Sequence, residues 1–333
     1  MPFISVLVTA YNRDLYVLDA LKSVVNQTLP SDSYEIILVH NSSNQAIEEY
    51  CSVNNIISVT PDSQLVGNWI CEGLKLSKGD IISFLDDDDV FLPHKLEIVN
   101  SVFSRYKDLI YFHSNVVEFV AVDERSAYHP EGDELCVSLV ETSKCNIGII
   151  ASLVRNSYCL NMSSIVVRKD VLLKYESLLS NLSAGPDFFA FYATLTIAGS
   201  IAWLNKPLSL YRIHDSTTHY LSSDFEDYVG KKVSYAEKFL DAIELYLEVA
   251  SHGGSSLFNY IKFQRAAWIC MKDNFSGSRH LPRRLKDIIA SLFYGIMKVD
   301  STIIYNAIIS CLSFSPRIRI SLLKSFFYAY RDK

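Results

Sequence analysis

The chain has 333 residues, 49% of them hydrophobic and 20% charged, with 12 Gly and 9 Pro. This is enough to bury one large core, or a core plus a smaller unit, and it excludes a disordered or fibrous protein. The net charge of −6 is split between the two ends. Residues 261–333 carry 13 Lys and Arg against 4 Asp and Glu, a net +9, whereas residues 1–260 carry 18 against 33, a net −15. The seven cysteines (51, 71, 136, 145, 159, 270 and 311) are odd in number and scattered, with no CxxC pair, so neither a disulfide framework nor a zinc site is expected.

The opening "MPFISVLVTAYNR" lacks a basic leader region and reaches polar residues after a short apolar run. It reads as a strand over 4–11 rather than a signal peptide, and the expected location is cytoplasmic. "LYVLDALKSVVNQ" (15–27) then spaces Leu15, Leu18, Leu21 and Val25 as a helix does. Further strands are predicted over 34–40, 56–61 and 80–85, with a short helix at "AIEEYCS" and another from Asn68 to Leu76 ending at Lys78-Gly79. Strands alternating with helices imply a mostly parallel sheet covered on both faces, which agrees with strands that are almost continuously apolar. In such sheets ligands bind beyond the carboxyl ends of the strands. Thr9–Arg13, His40–Ser43 and Asp86–Asp89 therefore share one rim.

Between 111 and 220 further strands and two helices are expected. After them "FEDYVGKKVSYAEKFLDAIELYLEVA" (225–250) is a long amphipathic helix with Phe225, Val229, Ala236, Phe239, Ile243 and Tyr246 on one side. The remainder reads as helices punctuated by "DNFSGS" and "SFSP". The apolar runs within 283–333 are too short to span a bilayer. Two readings stay open there: attachment to an anionic membrane surface through Arg283, Arg284, Lys286, Arg317, Arg319 and Lys324, or a helical subdomain packed on the core or on a second copy of the chain.

The segment "IISFLDDDDVFLP" (81–93) sets four carboxylates directly after an apolar strand. Two such charges about 4 Å apart near a surface repel by about 4 kcal/mol, so the run is costly unless something positive binds it. The plain alternative is a solvated acidic turn.

The order strand, "TAYNR", helix, "NQTLP", strand, polar loop and "KGDIISFLDDDDVFLPHKLE" resembles family 2 glycosyltransferases. "GPDFFAFYATLTIAG" and "LSLYRIHDSTT" match the acceptor-side and closing motifs of the same family. The resemblance covers residues 3–220 and implies the GT-A fold, a Rossmann-like α/β mixed sheet with flanking helices, here over residues 1–222. A helical C-terminal region would follow over 223–333. It also implies an inverting transfer of a sugar from a nucleotide-diphosphate donor to a saccharide or lipid-linked acceptor, with no nucleic-acid partner.

On that resemblance, Asp88 would coordinate Mn²⁺ or Mg²⁺ while Asp86 faces the ribose or the metal. Asp87 would point away from them, still within the nucleotide-sugar site, and Asp89 would support the turn. Thr9, Tyr11 and Arg13 would meet the nucleotide, with Tyr11 stacking on the base and Arg13 pairing with a phosphate or carboxylate. Asn68 matches a position near the donor. His40 stands where the family usually has an Asp that reads uracil, which leaves the base open.

Arg212 would bind phosphate, and His214 would complete the metal site or touch the diphosphate. Asp187 would be the general base, although Pro186 replaces the usual acidic neighbour and the pair could equally open a helix. Trp203 reads as core. Two rival readings remain: a haloacid-dehalogenase-like phosphohydrolase, whose D-x-D motif ends the first strand rather than the fourth, and an inactive adapter that kept the fold.

Overall fold

The computed structural model describes residues 3–120, 136–214, 224–276 and 285–298, together with 303–304, 307–308 and 321–324. It divides into two compact units, Met1–Cys145 with Tyr158–Ile213, and Asn146–Ser157 with His214–Lys333.

The first unit begins β1 (Ile4–Ala10), α1 (Val17–Val25), β2 (Tyr34–His40), α2 (Gln45–Val53), β3 (Ile57–Val59), α3 (Val66–Leu76) and β4 (Ile81–Asp86). The four strands lie parallel in the order β3-β2-β1-β4. β1 lies between β2 and β4, with helices on both faces, and Ile4, Val6, Leu7 and Val8 are fully buried. A strand covered on both faces has no position where a polar side chain is cheap, hence the unbroken apolar run.

After β5 (Val90–Phe91), α4 (Lys95–Arg105), β6 (Leu109–Phe119) and β7 (Val137–Glu141) the chain passes through the second unit as α5 (Ile147–Arg155). It returns as β8 (Ile165–Arg168), α6 (Lys169–Leu173), α7 (Glu176–Leu179), α8 (Pro186–Thr194) and β9 (Ser200–Arg212). Here the sheet departs from the mostly parallel expectation. β8 runs antiparallel to both β4 and β6, β9 is parallel to β6, and β5 and β7 pair antiparallel with β9. The sheet is therefore mixed, and its direction reverses beside β4, so the end of β4 opens at a switch point where ligands settle.

The second unit contains α5, α9 (Phe225–Ser251), α10 (Ser255–Ser276) and α11 (Leu285–Lys298). The sequence suggested a single boundary at residue 222. The unit instead starts at His214 and also takes in α5, whose Ile150, Ala151, Leu153 and Val154 are buried on its apolar face. The α9 stripe is observed, with Phe225, Ala236, Phe239, Ile243 and Tyr246 buried. Phe239 stacks on Trp268 of α10 with centroids 4.5 Å apart, and Tyr235 meets Trp268 edge-on. Among the described residues no helix is long and apolar enough to cross a membrane. Of the six basic residues named in the tail, Arg283, Arg284, Arg317 and Arg319 lie outside the described residues.

Candidate functional site

Leaving β4 at Asp86, the chain makes a tight turn closed by the Asp89 N–H donating to the Asp86 carbonyl at 3.2 Å. Other elements hold the turn at both ends. The Asp86 N–H donates to the Ser163 hydroxyl (3.0 Å), in the 3-10 turn that leads into β8. The Arg212 backbone N–H donates to Asp89 Oδ1 (3.0 Å), and the Leu92 N–H donates to the Leu208 carbonyl (2.9 Å). From the end of β1, Arg13 reaches across the turn. Its guanidinium grips both oxygens of Asp87, with Nε 3.1 Å from Oδ2, and Nη1 lies 2.7 Å from Asp88 Oδ2.

One arginine does not neutralise four carboxylates. Burial, followed by the charges of Asp89, Asp88, Asp87 and Asp187, pushes the Asp86 carboxyl well above the usual range. Burial raises Asp87 to about 6 against the pull of Arg13, and burial with the charge of Asp88 raises Asp89 to about 7. Burial works against the Arg13 charge, but its bond to Asp87 and the surrounding carboxylates hold its pKa above the ordinary arginine value. Ionising all of these carboxyls together is therefore costly.

Asp187 sits in the first turn of α8, after Gly185, whose φ of 66° lies in the left-handed region, and after Pro186 at the helix start. Its Oδ1 accepts the Phe188 N–H at 2.9 Å, and burial raises its carboxyl to about 6. Its charge contributes to the rise of Asp86, so the two carboxylates lie in one electrostatic neighbourhood.

Thr9 is paired with Asp86 across the β1–β4 ladder. Tyr11 is 45% exposed at the rim and packs edge-on against Trp69 of α3, centroids 5.2 Å apart, so it is braced with part of its ring in solvent. Asn68 is half-buried in the first turn of the same helix. Trp203 is half-buried and stacked on Tyr158, centroids 5.1 Å apart. His214 is half-buried at the end of the described segment, and the "STT" that follows it lies outside the described residues.

Two residues stand elsewhere than the phosphate and base readings require. His40 ends β2 on the expected rim, but its ring is 1% exposed and turned inward, with Nε2 2.8 Å from the Ser58 hydroxyl and 3.2 Å from Glu48. Burial lowers its pKa against the pull of Glu48 and Asp14. Arg212 is also buried. Its Nε donates to the Asp88 carbonyl (2.8 Å), Nη2 meets Asp19 (3.2 Å), and the guanidinium lies 4.0 Å over Tyr16 and 4.5 Å over Phe119. A guanidinium held by these partners braces the acidic turn.

A divalent ion suits this donor set. Among the described residues no three His, Cys, Asp or Glu side chains converge on one point. None need do so, because Mg²⁺-like ions bind through one or two carboxylates plus the substrate's own phosphates. Hard oxygen donors whose ionised forms are destabilised by burial and by one another gain most from such a charge.

Two supporting residues escaped the sequence reading. Ser163 is a small polar residue in a stretch with no motif. Lys95 looks like a solvent-facing residue of "HKLE", yet it is wholly buried. A signal for Lys95 was present: it shares a helical face with Val99 and Val102, at i+4 and i+7, both buried.

Residues 5–150 match the family described as Glycosyl transferase family 2. The chain is 32% identical over 112 residues to the minor teichoic acid biosynthesis protein GgaB of Bacillus subtilis (strain 168), a match that covers 32% of this chain and 12% of that protein. S. aureus TarS 1-349, solved in complex with UDP-GlcNAc, superposes with a TM-score of 0.53 at 16% identity, over 99% of this chain and 92% of that one. The mannosyltransferase PcManGT of Pyrobaculum calidifontis, solved with GDP-Man and Mn²⁺, superposes with a TM-score of 0.52 at 11% identity, over 93% and 86%. At these identities the two structural likenesses establish the fold.

Proposed function

We propose that the chain acts as its match to Glycosyl transferase family 2 over residues 5–150 and its GT-A fold suggest: it transfers a sugar, with inversion, from a nucleotide-diphosphate donor held at the acidic turn, with Asp187 as the general base. The observation that carries this reading is the cluster of carboxylates at the end of β4, three of them raised by burial and by one another's charge. Asp86 and Asp88 would hold Mn²⁺ or Mg²⁺. Bound there, the ion would supply Lewis-acid neutralisation of the diphosphate charge that grows as the glycosidic bond breaks.

The protein's own residues do the rest. Tyr11, braced by Trp69, offers a ring edge and face to the base. Arg13 already lies along Asp87 and Asp88, and supplies positive charge where a diphosphate would lie. Arg212 and Ser163 keep the turn from relaxing into solvent. Asp187 takes the proton of the attacking acceptor hydroxyl. A carboxyl near 6 is ionised at neutral pH yet more basic than an ordinary aspartate, which suits that task.

The acceptor is proposed to be a saccharide or lipid-linked chain. That choice is supported by the similarity to GgaB, named for minor teichoic acid biosynthesis. The net charge of +9 over 261–333 supports attachment of the tail to the inner face of an anionic membrane.

The test is a thermal-shift and calorimetric screen of UDP, GDP and their sugars with and without Mn²⁺. Metal-dependent binding of one nucleotide family is expected. A chain that binds none, or that hydrolyses simple phosphomonoesters instead, overturns the reading. Co-sedimentation with anionic liposomes before and after removal of 283–333 tests the tail.

A further inference from the structure

The centre of the first unit holds a charge that the proposed chemistry does not use. Lys95 opens α4 and is wholly buried. Its Nζ donates to the Ser163 carbonyl and to the Ser209 hydroxyl (2.8 Å), the Ser209 hydroxyl donates to the same carbonyl (2.7 Å), and the ammonium lies 4.0 Å over the Phe91 ring. Removing an ammonium from water costs several kcal/mol, and well-packed apolar replacements of buried charges are often neutral or stabilising. Fold stability alone does not account for a lysine here.

What Lys95 grips does account for it. Ser163 belongs to the short turn Met162–Ser164, and its hydroxyl accepts the Asp86 N–H at 3.0 Å. Ser209 is on β9, three residues before Arg212, whose backbone N–H holds Asp89. The Lys95 ammonium therefore ties together the two elements that hold opposite ends of the acidic turn. Burial pulls the Lys95 pKa down to about 7, and the charge of Asp89 opposes that pull.

We propose that Lys95 is a positioning residue for the donor site: its buried ammonium clamps the Ser163 carbonyl to the Ser209 hydroxyl, and so fixes the Ser163 hydroxyl that holds the backbone of Asp86. The assignment deepens the donor-site reading above and rests on it for its functional consequence. The geometric part stands on the hydrogen bonds alone.

The test uses the full chain with Lys95→Met, which keeps an unbranched apolar stem and removes the charge, and Ser163→Ala, which removes only the hydroxyl. In Lys95→Met, hydrogen exchange is expected to quicken in peptides over 81–92 and stay unchanged in β1. The Mn²⁺ dependence of UDP or GDP binding should weaken about 10–100-fold, the usual cost of losing a residue that orients a metal ligand. The melting temperature should hold. Ser163→Ala should reproduce both effects, and the double variant should be no worse than either alone, since the two residues act through one contact.

Unchanged exchange over 81–92 together with unchanged Mn²⁺ dependence in a folded Lys95→Met overturns the proposal. If that variant fails to fold, the same null result in Ser163→Ala overturns it. Quickened exchange in variants of a chain that binds no nucleotide with Mn²⁺ would keep the clamp and reject the donor-site reading instead.

Discussion

The two units of this chain treat charge in opposite ways. The first buries Asp87, Asp89, Lys95 and Arg212, whereas the buried polar residues described in the second are Gln264, Asn274 and Ser291, all uncharged. Among the described residues of the second unit, the ion pairs Lys231–Asp227, Arg265–Glu244 and Lys272–Glu237 lie at its surface. Its described core is built of apolar and aromatic contacts such as Phe239 on Trp268. Buried charge costs stability unless every group is paired, so a fold that only needed to persist would follow the second pattern. The first unit carries its buried charge around one turn, where ligand chemistry gives it a use.

The sharpest way to break this comparison is at Asp187. Asp187→Asn should lower sugar transfer by about 10²–10⁴-fold with donor affinity unchanged, as expected on losing a positioned base. A variant that transfers at the parental rate would reduce Asp187 to a helix cap. The same residue sets a pH dependence. Burial raises its carboxyl to about 6, so it is protonated and idle at pH 5 and ionised at pH 7 to 8. The transfer rate of the parent should therefore climb as pH rises through about 6, and Asp187→Asn should lose that limb.

Arg212→Leu should cost about 3–5 kcal/mol in urea denaturation, because it strands Asp19, the Asp88 carbonyl and the acidic turn around a missing charge. Asp88→Asn should weaken metal-dependent nucleotide binding about 10–100-fold by calorimetry while the melting temperature holds. The smallest effect belongs to the other unit. Glu244→Gln removes a surface partner of Arg265 and should change stability by less than about 1 kcal/mol. A large loss there would mean that surface pairing carries weight in the helices, and the contrast between the units would fail.

The parallel half of the sheet was legible because β1, β2 and β4 are buried on both faces and show it as unbroken apolar runs. The second half was not. β6 and β9 are long, partly exposed and bulged against one another, so periodicity blurs, and nothing local in "SSIVVR" announces that β8 runs against both neighbours. The acidic turn was legible as four consecutive carboxylates after a strand, and Asp187 as an acid opening a helix. The burial of His40 and Arg212 was not legible for one shared reason: a polar residue at a strand end looks the same in sequence whether it faces solvent or turns into a network.

By itself the sequence determined the α/β alternation, the rim on which the carboxylates stand and the long helix after residue 224, because each depends on local periodicity or on chain order. Only the tertiary structure decided which donors answer those carboxylates. The Arg13 guanidinium lies 74 residues from Asp87, and the Arg212 backbone N–H lies 123 residues from Asp89. Whether such a charge ends in water or against a carboxylate depends on which strands become neighbours, and pairing between distant segments leaves no mark on either segment alone.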